Sequence, residues 1–143
     1  MKIKIKRFNK NLPLPERKTA GAAAFDLLAR DSVTIPAKSI GYVPLNIAME
    51  IPPGHFLFLA PRSSTHKRGL LPANGIGIID PDYCGDCDEI KSAYYNFTDS
   101  PVLVERGERI SQAMIVKFVE AEWNEVEKMD HETRGGFGTT GEK

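Results

Sequence analysis

The chain has 143 residues and a mass of 15.9 kDa, a size that suits one domain around a single hydrophobic core. Apolar residues make up 41% and charged residues 27%, an ordinary globular composition. Nineteen basic and nineteen acidic residues cancel, which argues against nucleic acid or an anionic membrane as a general partner. No apolar run approaches the ~20 residues of a membrane-spanning helix.

The opening "MKIKIKRF" alternates Lys and Ile, the pattern of an edge strand and not of a signal peptide. With no export signal and only two cysteines, the expected location is cytoplasmic. Short runs rich in β-branched and aromatic residues follow in order: "AFDLLA", "SVTI", "GYVPLNIAMEI", "HFLFLAPR", "NGIGIID", "EIKSAYYNF", "PVLVERG" and "ISQAMIVKF". Ten prolines and twelve glycines punctuate them, and no segment carries the 3.6-residue period of a long helix. One short helical turn is expected around "SSTHKRGL", with Ser63 or Ser64 as its N-cap. Many short strands at intervals of about 8 to 12 residues predict an antiparallel β-sandwich or barrel. The chain divides into a β domain over residues 1–130 and a Gly-rich tail over 131–143. That tail, "HETRGGFGTTGEK", has one large apolar residue, Phe137, and too little to bury to order by itself. Either it frays, or it closes on something.

Five places carry chemistry. In "AGAAAFDLLA" Asp26 interrupts an apolar strand, as an edge carboxylate also would. In "APRSST" Pro61 ends a strand and a guanidinium and two hydroxyls emerge together. Arg62, Ser63 and Ser64 suit phosphate oxygens, and a solvated helix cap would use the same residues. "NGIGIIDPDYCG" reads as a β-hairpin whose glycines allow close approach to its backbone. A planar base could pair there with main-chain groups and Asn74, against the flat wall of Tyr83. Asp80 follows the run Ile76, Ile78, Ile79, where a carboxylate would be costly unless it had a task such as accepting a proton from water. In "ERISQ" the amide of Gln112 opens an apolar strand and needs a partner, either a ligand or a buried structural hydrogen bond. The tail "RGGFGTTG" offers successive N–H groups that can wrap phosphate, with Phe137 to stack on a base. Cys84 and Cys87 form a CxxC without a second pair or spaced histidines. A solvent-facing turn is the expected reading, ahead of a metal half-site or redox pair.

In this order "AFDLLA", "PRSS", "GIIDPDYCG", "GERISQ" and "RGGFGTTG" resemble the five motifs of the trimeric dUTPase family, the deoxyuridine triphosphate diphosphatases, from about residue 13 to 141. The resemblance implies a jelly-roll subunit assembled as a homotrimer. Its active sites would lie between subunits, each closed by another protomer's tail. It implies hydrolysis of dUTP to dUMP and pyrophosphate, with Asp80 activating the attacking water. Tyr83 would exclude a 2′-hydroxyl. Asn74 and the backbone at Gly77 and Ile78 would read uracil, and Phe137 would cover it. Arg62, Ser63, Ser64, Gln112, Arg134, Gly136 and Thr139 would hold phosphates. The implied cofactor is Mg2+, held mainly by the triphosphate and met by Asp26 through its water shell. Two features depart from the family pattern. Arg134 precedes Phe137 by three residues where many members have five, and "GDCDE" lengthens the loop after Tyr83. The rival readings are a dCTP deaminase-like enzyme, which needs a base such as Glu89 beside the pyrimidine, and a non-catalytic nucleotide-binding regulator on the same scaffold.

Overall fold

The computed structural model describes residues 1–136, so Phe137 and Thr139 lie outside the described residues. Among the described residues the chain forms eleven strands and one 3-10 turn. Every strand pair is antiparallel. The larger sheet has four strands in the order β2 (Phe25–Leu28), β11 (Arg109–Lys117), β6 (His55–Pro61) and β8 (Gly77–Ile79). A three-stranded sheet runs β4 (Ile40–Pro44), β9 (Lys91–Asn96), β7 (Leu70–Pro72). Two ribbons complete the domain: β1 (Lys4–Arg7) with β5 (Ile47–Glu50), and β3 (Val33–Ile35) with β10 (Val102–Val104). No helix among the described residues is long and apolar enough to cross a membrane.

The period-2 pattern explains what each strand buries. In β9, Ser92, Tyr94 and Asn96 point inward and their neighbours outward. Leu27, Ile35, Val43, Ile47, Leu57, Leu70, Ile90, Val104 and Ile110 fill the space between the sheets. The polar side chains that β9 and β11 turn inward are hydrogen-bonded, as burial demands. The Tyr94 hydroxyl donates to the Ile110 carbonyl at 2.8 Å and lies 2.9 Å from Ser111 Oγ, which is itself 2.8 Å from Ser92 Oγ. This chain of hydroxyls ties β9 to β11 and so fixes one sheet against the other. Burial pushes the Tyr94 phenol above its ordinary value of 10.0, while the Ser111 and Ser92 hydrogen bonds pull the other way.

Two local expectations are corrected and a third, the helical turn, is refined. The run "GYVPLNIAMEI" is two strands, β4 and β5, because Asn46 turns the chain at φ 69°. Asn tolerates that left-handed conformation, and here its side chain holds Asn9: Oδ1 accepts the Asn9 N–H at 2.6 Å and Nδ2 donates to its carbonyl at 3.1 Å. The helical turn after Pro61 is a 3-10 turn, Thr65–Arg68, with Ser64 at its N-cap position but no side-chain capping bond. The expected hairpin around Asn74 is a connection between sheets, since β7 pairs with β9 and β8 with β6.

Candidate functional site

Three of the five motif segments meet at one corner of the four-stranded sheet. Gln112 on β11 lies between Asp26 of β2 and Ala60 of β6 in the register. The Asp26 carboxylate, only 15% exposed, bridges two guanidiniums: Oδ1 is 3.1 Å from Arg62 Nε and Oδ2 is 3.1 Å from Arg109 Nη1. Arg62 Nη1 also donates to the Arg109 carbonyl at 3.2 Å. Gln112 Nε2 donates to the Pro61 carbonyl at 2.9 Å, so its amide has the structural partner that the sequence left open. Two cations share one anion here, a positive surplus that the chain holds in a fixed geometry.

Arg62, Ser63 and Gln112 line a groove of about 260 Å3 together with Thr65, His66 and Pro72. Ser63 and Ser64 are exposed. Thr65 is buried, and its Oγ1 has no hydrogen-bond partner among the described residues. A hydroxyl at the floor of a groove rimmed by arginine and serine is suited to a ligand oxygen. Arg109 was not singled out by sequence reasoning. Its signal was available: a guanidinium three residues before Gln112, opposite the strand that carries Asp26.

The segment expected to read a base stands on the neighbouring edge strand, β8. Asn74 and Gly77 line a small cavity of about 20 Å3 with Leu59, Pro61, Ser92 and Tyr94. The two glycines differ in their reasons. Gly75 has φ +74 and open space where a Cβ would stand, so its role is conformational and leaves the backbone open to approach. A Cβ on Gly77 would come within 3.0 Å of Leu59 Cβ, so Gly77 lets β8 pack against β6. Ile76 and Ile78 are 45% and 59% exposed, while Ile79 faces the core. The run before Asp80 is therefore buried only in part on the protomer, and Asp80 itself is exposed. Its carbonyl accepts the Tyr83 N–H at 3.2 Å across the Pro81–Asp82 turn. The Tyr83 hydroxyl reaches over the following loop to the Glu89 carbonyl at 3.3 Å.

The strand register separates Asp80 from the corner at Asp26. Leu57 pairs with Ile79 and Leu59 with Gly77, which sets Asp80 beside Phe56. Arg62 lies six positions further along the same strand, about 20 Å away at ~3.3 Å per residue. The structure thus brings Asp26, Arg62, Ser63 and Gln112 together and leaves Asp80 and Tyr83 apart from them. Arg134 is on the exposed tail, Gly136 is its last described residue, and the expected contacts of Phe137 and Thr139 fall outside the described residues.

Metal fit can be judged from the donors. Among the described residues no three His, Cys, Asp or Glu side chains converge on a point. Asp26 has one arginine contact on each oxygen, which leaves a second lone pair on each that could accept a hydrogen bond from a cation's water shell.

Comparison with known proteins bears on the same segments. The model of the dUTPase family matches residues 10–141. The deoxyuridine 5'-triphosphate nucleotidohydrolase of Helicobacter pylori (strain P12) is 37% identical over 144 aligned positions, covering 99% of this chain and 97% of that protein. The rice protein of the same name (Oryza sativa subsp. japonica) is 37% identical over 141 positions, covering 97% of this chain and 80% of its own length. Among solved structures, a dUTPase from Streptococcus mutans is 31% identical, with a TM-score of 0.76, and covers 83% of this chain and 98% of that one. The dUTPase of Staphylococcus bacteriophage 80alpha with dUPNHPP reaches a TM-score of 0.85 over 98% of both chains; at 23% identity it speaks for the fold alone.

Proposed function

This chain belongs to the dUTPase family, and from that premise we propose that it hydrolyses dUTP to dUMP and pyrophosphate at sites shared between protomers of a homotrimer. One observation carries the shared site. Asp80 and Arg62 lie about 20 Å apart along β6 and β8, whereas the phosphates of one triphosphate chain lie within a few ångströms of each other. That separation supports a base and a phosphate clamp contributed to one substrate by different copies of the chain.

The roles follow from the chemistry of each group. Arg62 supplies a planar fork for phosphate oxygens, and Asp26 holds its Nε so that the fork is already oriented when substrate arrives. Gln112 spends one N–H on Pro61 and keeps a second on the same nitrogen for a phosphate oxygen. Ser63 and Ser64 add short hydroxyl donors, and Arg134, Gly136 and Thr139 of another protomer's tail complete the wrap. Asn74 and the main chain at Gly77 and Ile78 read the uracil edge, with Phe137 laid over it. Tyr83 packs on the deoxyribose where a 2′-hydroxyl would collide. Asp80 accepts a proton from a water whose oxygen attacks the α-phosphorus. The bond to the bridging oxygen then breaks, and pyrophosphate leaves.

The family requires a divalent cation. Magnesium fits as the counter-cation of the triphosphate, neutralising charge on phosphate oxygens and bound chiefly by them. Activity is expected in the cytoplasm.

The deaminase reading loses its candidate base. Glu89 is buried, with Oε1 3.1 Å from Arg30 Nε and accepting the Asn46 N–H at 2.9 Å, the setting of a structural carboxylate. The deciding assay incubates the chain with dUTP, dCTP, dTTP and UTP in the presence of Mg2+. Pyrophosphate from dUTP alone supports the proposal. Ammonia from dCTP, or no product from any of the four, overturns it.

A further inference from the structure

The loop after Tyr83 belongs to neither the phosphate corner nor the base-reading segment, yet it has an unusual content. Free cysteine is among the most buried residue types, and here Cys84 and Cys87 are both free and both exposed. Only Gly85 and Asp86 separate them. The chain bends at Gly85 and turns through Asp86 and Cys87, closed by Asp88 N–H to the Gly85 carbonyl at 3.1 Å and by Gly85 N–H to Asp88 Oδ2 at 2.7 Å. A Cβ on Gly85 would meet that same carboxylate oxygen at 2.7 Å, so a side chain there would push the Asp88 carboxylate aside. Lys6 pins the turn from outside, with Nζ 2.7 Å from the Asp86 carbonyl and 2.6 Å from its carboxylate. Cys84 also lines an open cavity of about 250 Å3 with Lys4, Lys6 and Met49, room for a small molecule to reach its sulfur.

The position of the pair matters as much as its spacing. The hydrogen bond from the Tyr83 hydroxyl to the Glu89 carbonyl spans the loop, so both cysteines lie inside the ring that positions Tyr83. That bond, at 3.3 Å, and the Tyr83 N–H bond to Asp80, at 3.2 Å, are both long, and a modest pull on residue 84 would break them.

We propose that Cys84 and Cys87 form a reversible intramolecular disulfide, made by exchange with a low-molecular-weight disulfide, and that its closure displaces Tyr83 and weakens preference for the deoxy sugar. The thiolate of Cys84 attacks one sulfur of oxidised glutathione, forming a mixed disulfide and releasing one glutathione thiolate. The thiolate of Cys87 then attacks Cys84 Sγ and expels the second glutathione. Two protein thiols are oxidised, one glutathione disulfide is reduced to two thiols, and the two protons pass from protein to glutathione. Drawing Cys84 onto Cys87 moves the adjoining backbone of Tyr83 away from Asp80. The effect on catalysis rests on the sugar-excluding role given to Tyr83 above; the thiol chemistry does not.

The full-length protein is equilibrated with oxidised glutathione, then examined by thiol titration, by mass spectrometry under non-reducing conditions and by kcat/KM for dUTP and UTP. Expected are loss of both thiols, a mass lower by two hydrogens per chain, and a dUTP-to-UTP preference reduced fivefold or more, all reversed by dithiothreitol. The Cys84→Ser, Cys87→Ser double variant should match the reduced protein and ignore the oxidant. Persisting thiols, a stable glutathione adduct, a disulfide between chains, or an oxidised form with unchanged preference each overturn the proposal. If the reduced protein hydrolyses neither nucleotide, the reading of function fails separately, and the thiol count and mass still decide the disulfide.

Discussion

The corner at Asp26 and the loop from Asp80 to Glu89 are held in opposite ways. At the corner, three strands converge and a largely buried carboxylate bridges two arginines, with a third polar contact from Gln112 to the backbone. In the loop, Asp80 is exposed, Tyr83 is 41% exposed, and its two hydrogen bonds are long. Phosphate binding needs several donors fixed before the ligand arrives, since each freely rotating cation would have to be ordered on binding. A base needs only its one carboxylate beside a water, and a neighbouring protomer can supply the walls. Under the proposed function, the anion site would be built within one chain, while the chemical site would be completed by another copy.

The largest effect is expected where that comparison is least forgiving. Asp80→Asn keeps the shape and removes the proton acceptor, so turnover should fall by about 10³-fold or more with affinity for dUTP unchanged within a few-fold. Steady-state rates together with calorimetric binding of a non-hydrolysable dUTP analogue check it. A variant keeping a tenth of wild-type turnover at unchanged affinity would show that Asp80 is not the base.

Next comes the tail. Residues 131–136 are exposed or only partly covered, so truncation after Asp130 should leave the melting temperature nearly unchanged while turnover drops by roughly two orders of magnitude or more. Co-assembly sharpens the test of sharing. Full-length Asp80→Asn chains mixed with truncated, Asp80-intact chains should recover activity that neither shows alone. Mixed trimers that form and stay inactive would place tail and base on one protomer.

Asp26→Ala tests the preorganised region. Releasing Arg62 and Arg109 should raise KM for dUTP about tenfold, with a smaller change in kcat, and cost about 1–3 kcal/mol of stability by leaving two close guanidiniums without their shared anion. If Asp26 served chiefly a metal, the defect would shrink as Mg2+ is raised. The double bridge predicts that it does not.

The same contrast explains what could be read from the sequence. Strands came through because period-2 alternation and Pro or Gly breaks are local signals. The split at Asn46 was hidden because either a strand or a left-handed turn accommodates Asn, and only its bonds to Asn9, 37 residues away, choose between them. β7 was missed because three residues ending in Pro72 carry no alternation; pairing with β9 makes it a strand. Asp26, Arg62 and Gln112 stood out as polar residues breaking apolar runs, but their convergence depends on the register of β2, β11 and β6, which is a tertiary fact. Asp80 stood out by its setting, although the setting is less buried than its sequence suggested, because Ile76 and Ile78 are 45% and 59% exposed on the protomer.

The smallest effect on activity should come from the buried hydroxyl chain that joins the two sheets, where the consequence is for stability and its pH dependence. Tyr94→Phe removes the donor to the Ile110 carbonyl and the partner of Ser111 Oγ, and should cost about 1–3 kcal/mol at neutral pH while kcat/KM changes less than twofold. The Tyr94 phenol is raised above 10.0 chiefly by burial, so the folded state favours the neutral hydroxyl. Its contribution is fully present below the unfolded value and is lost as pH rises beyond 10.0 through the folded one, because the unfolded chain then gains from ionisation and the folded chain does not. The phenylalanine variant has nothing to ionise at that position. Thermal melts of both proteins from neutral pH to above 10.0 should therefore show the wild-type advantage narrowing at the alkaline end, with exposed tyrosines cancelling in the difference. A variant as stable as wild type at neutral pH would mean that Tyr94 contributes through ring packing alone and that the hydroxyl chain does not hold the sheets together. A gap that stays constant to the alkaline end would mean that burial does not raise the phenol.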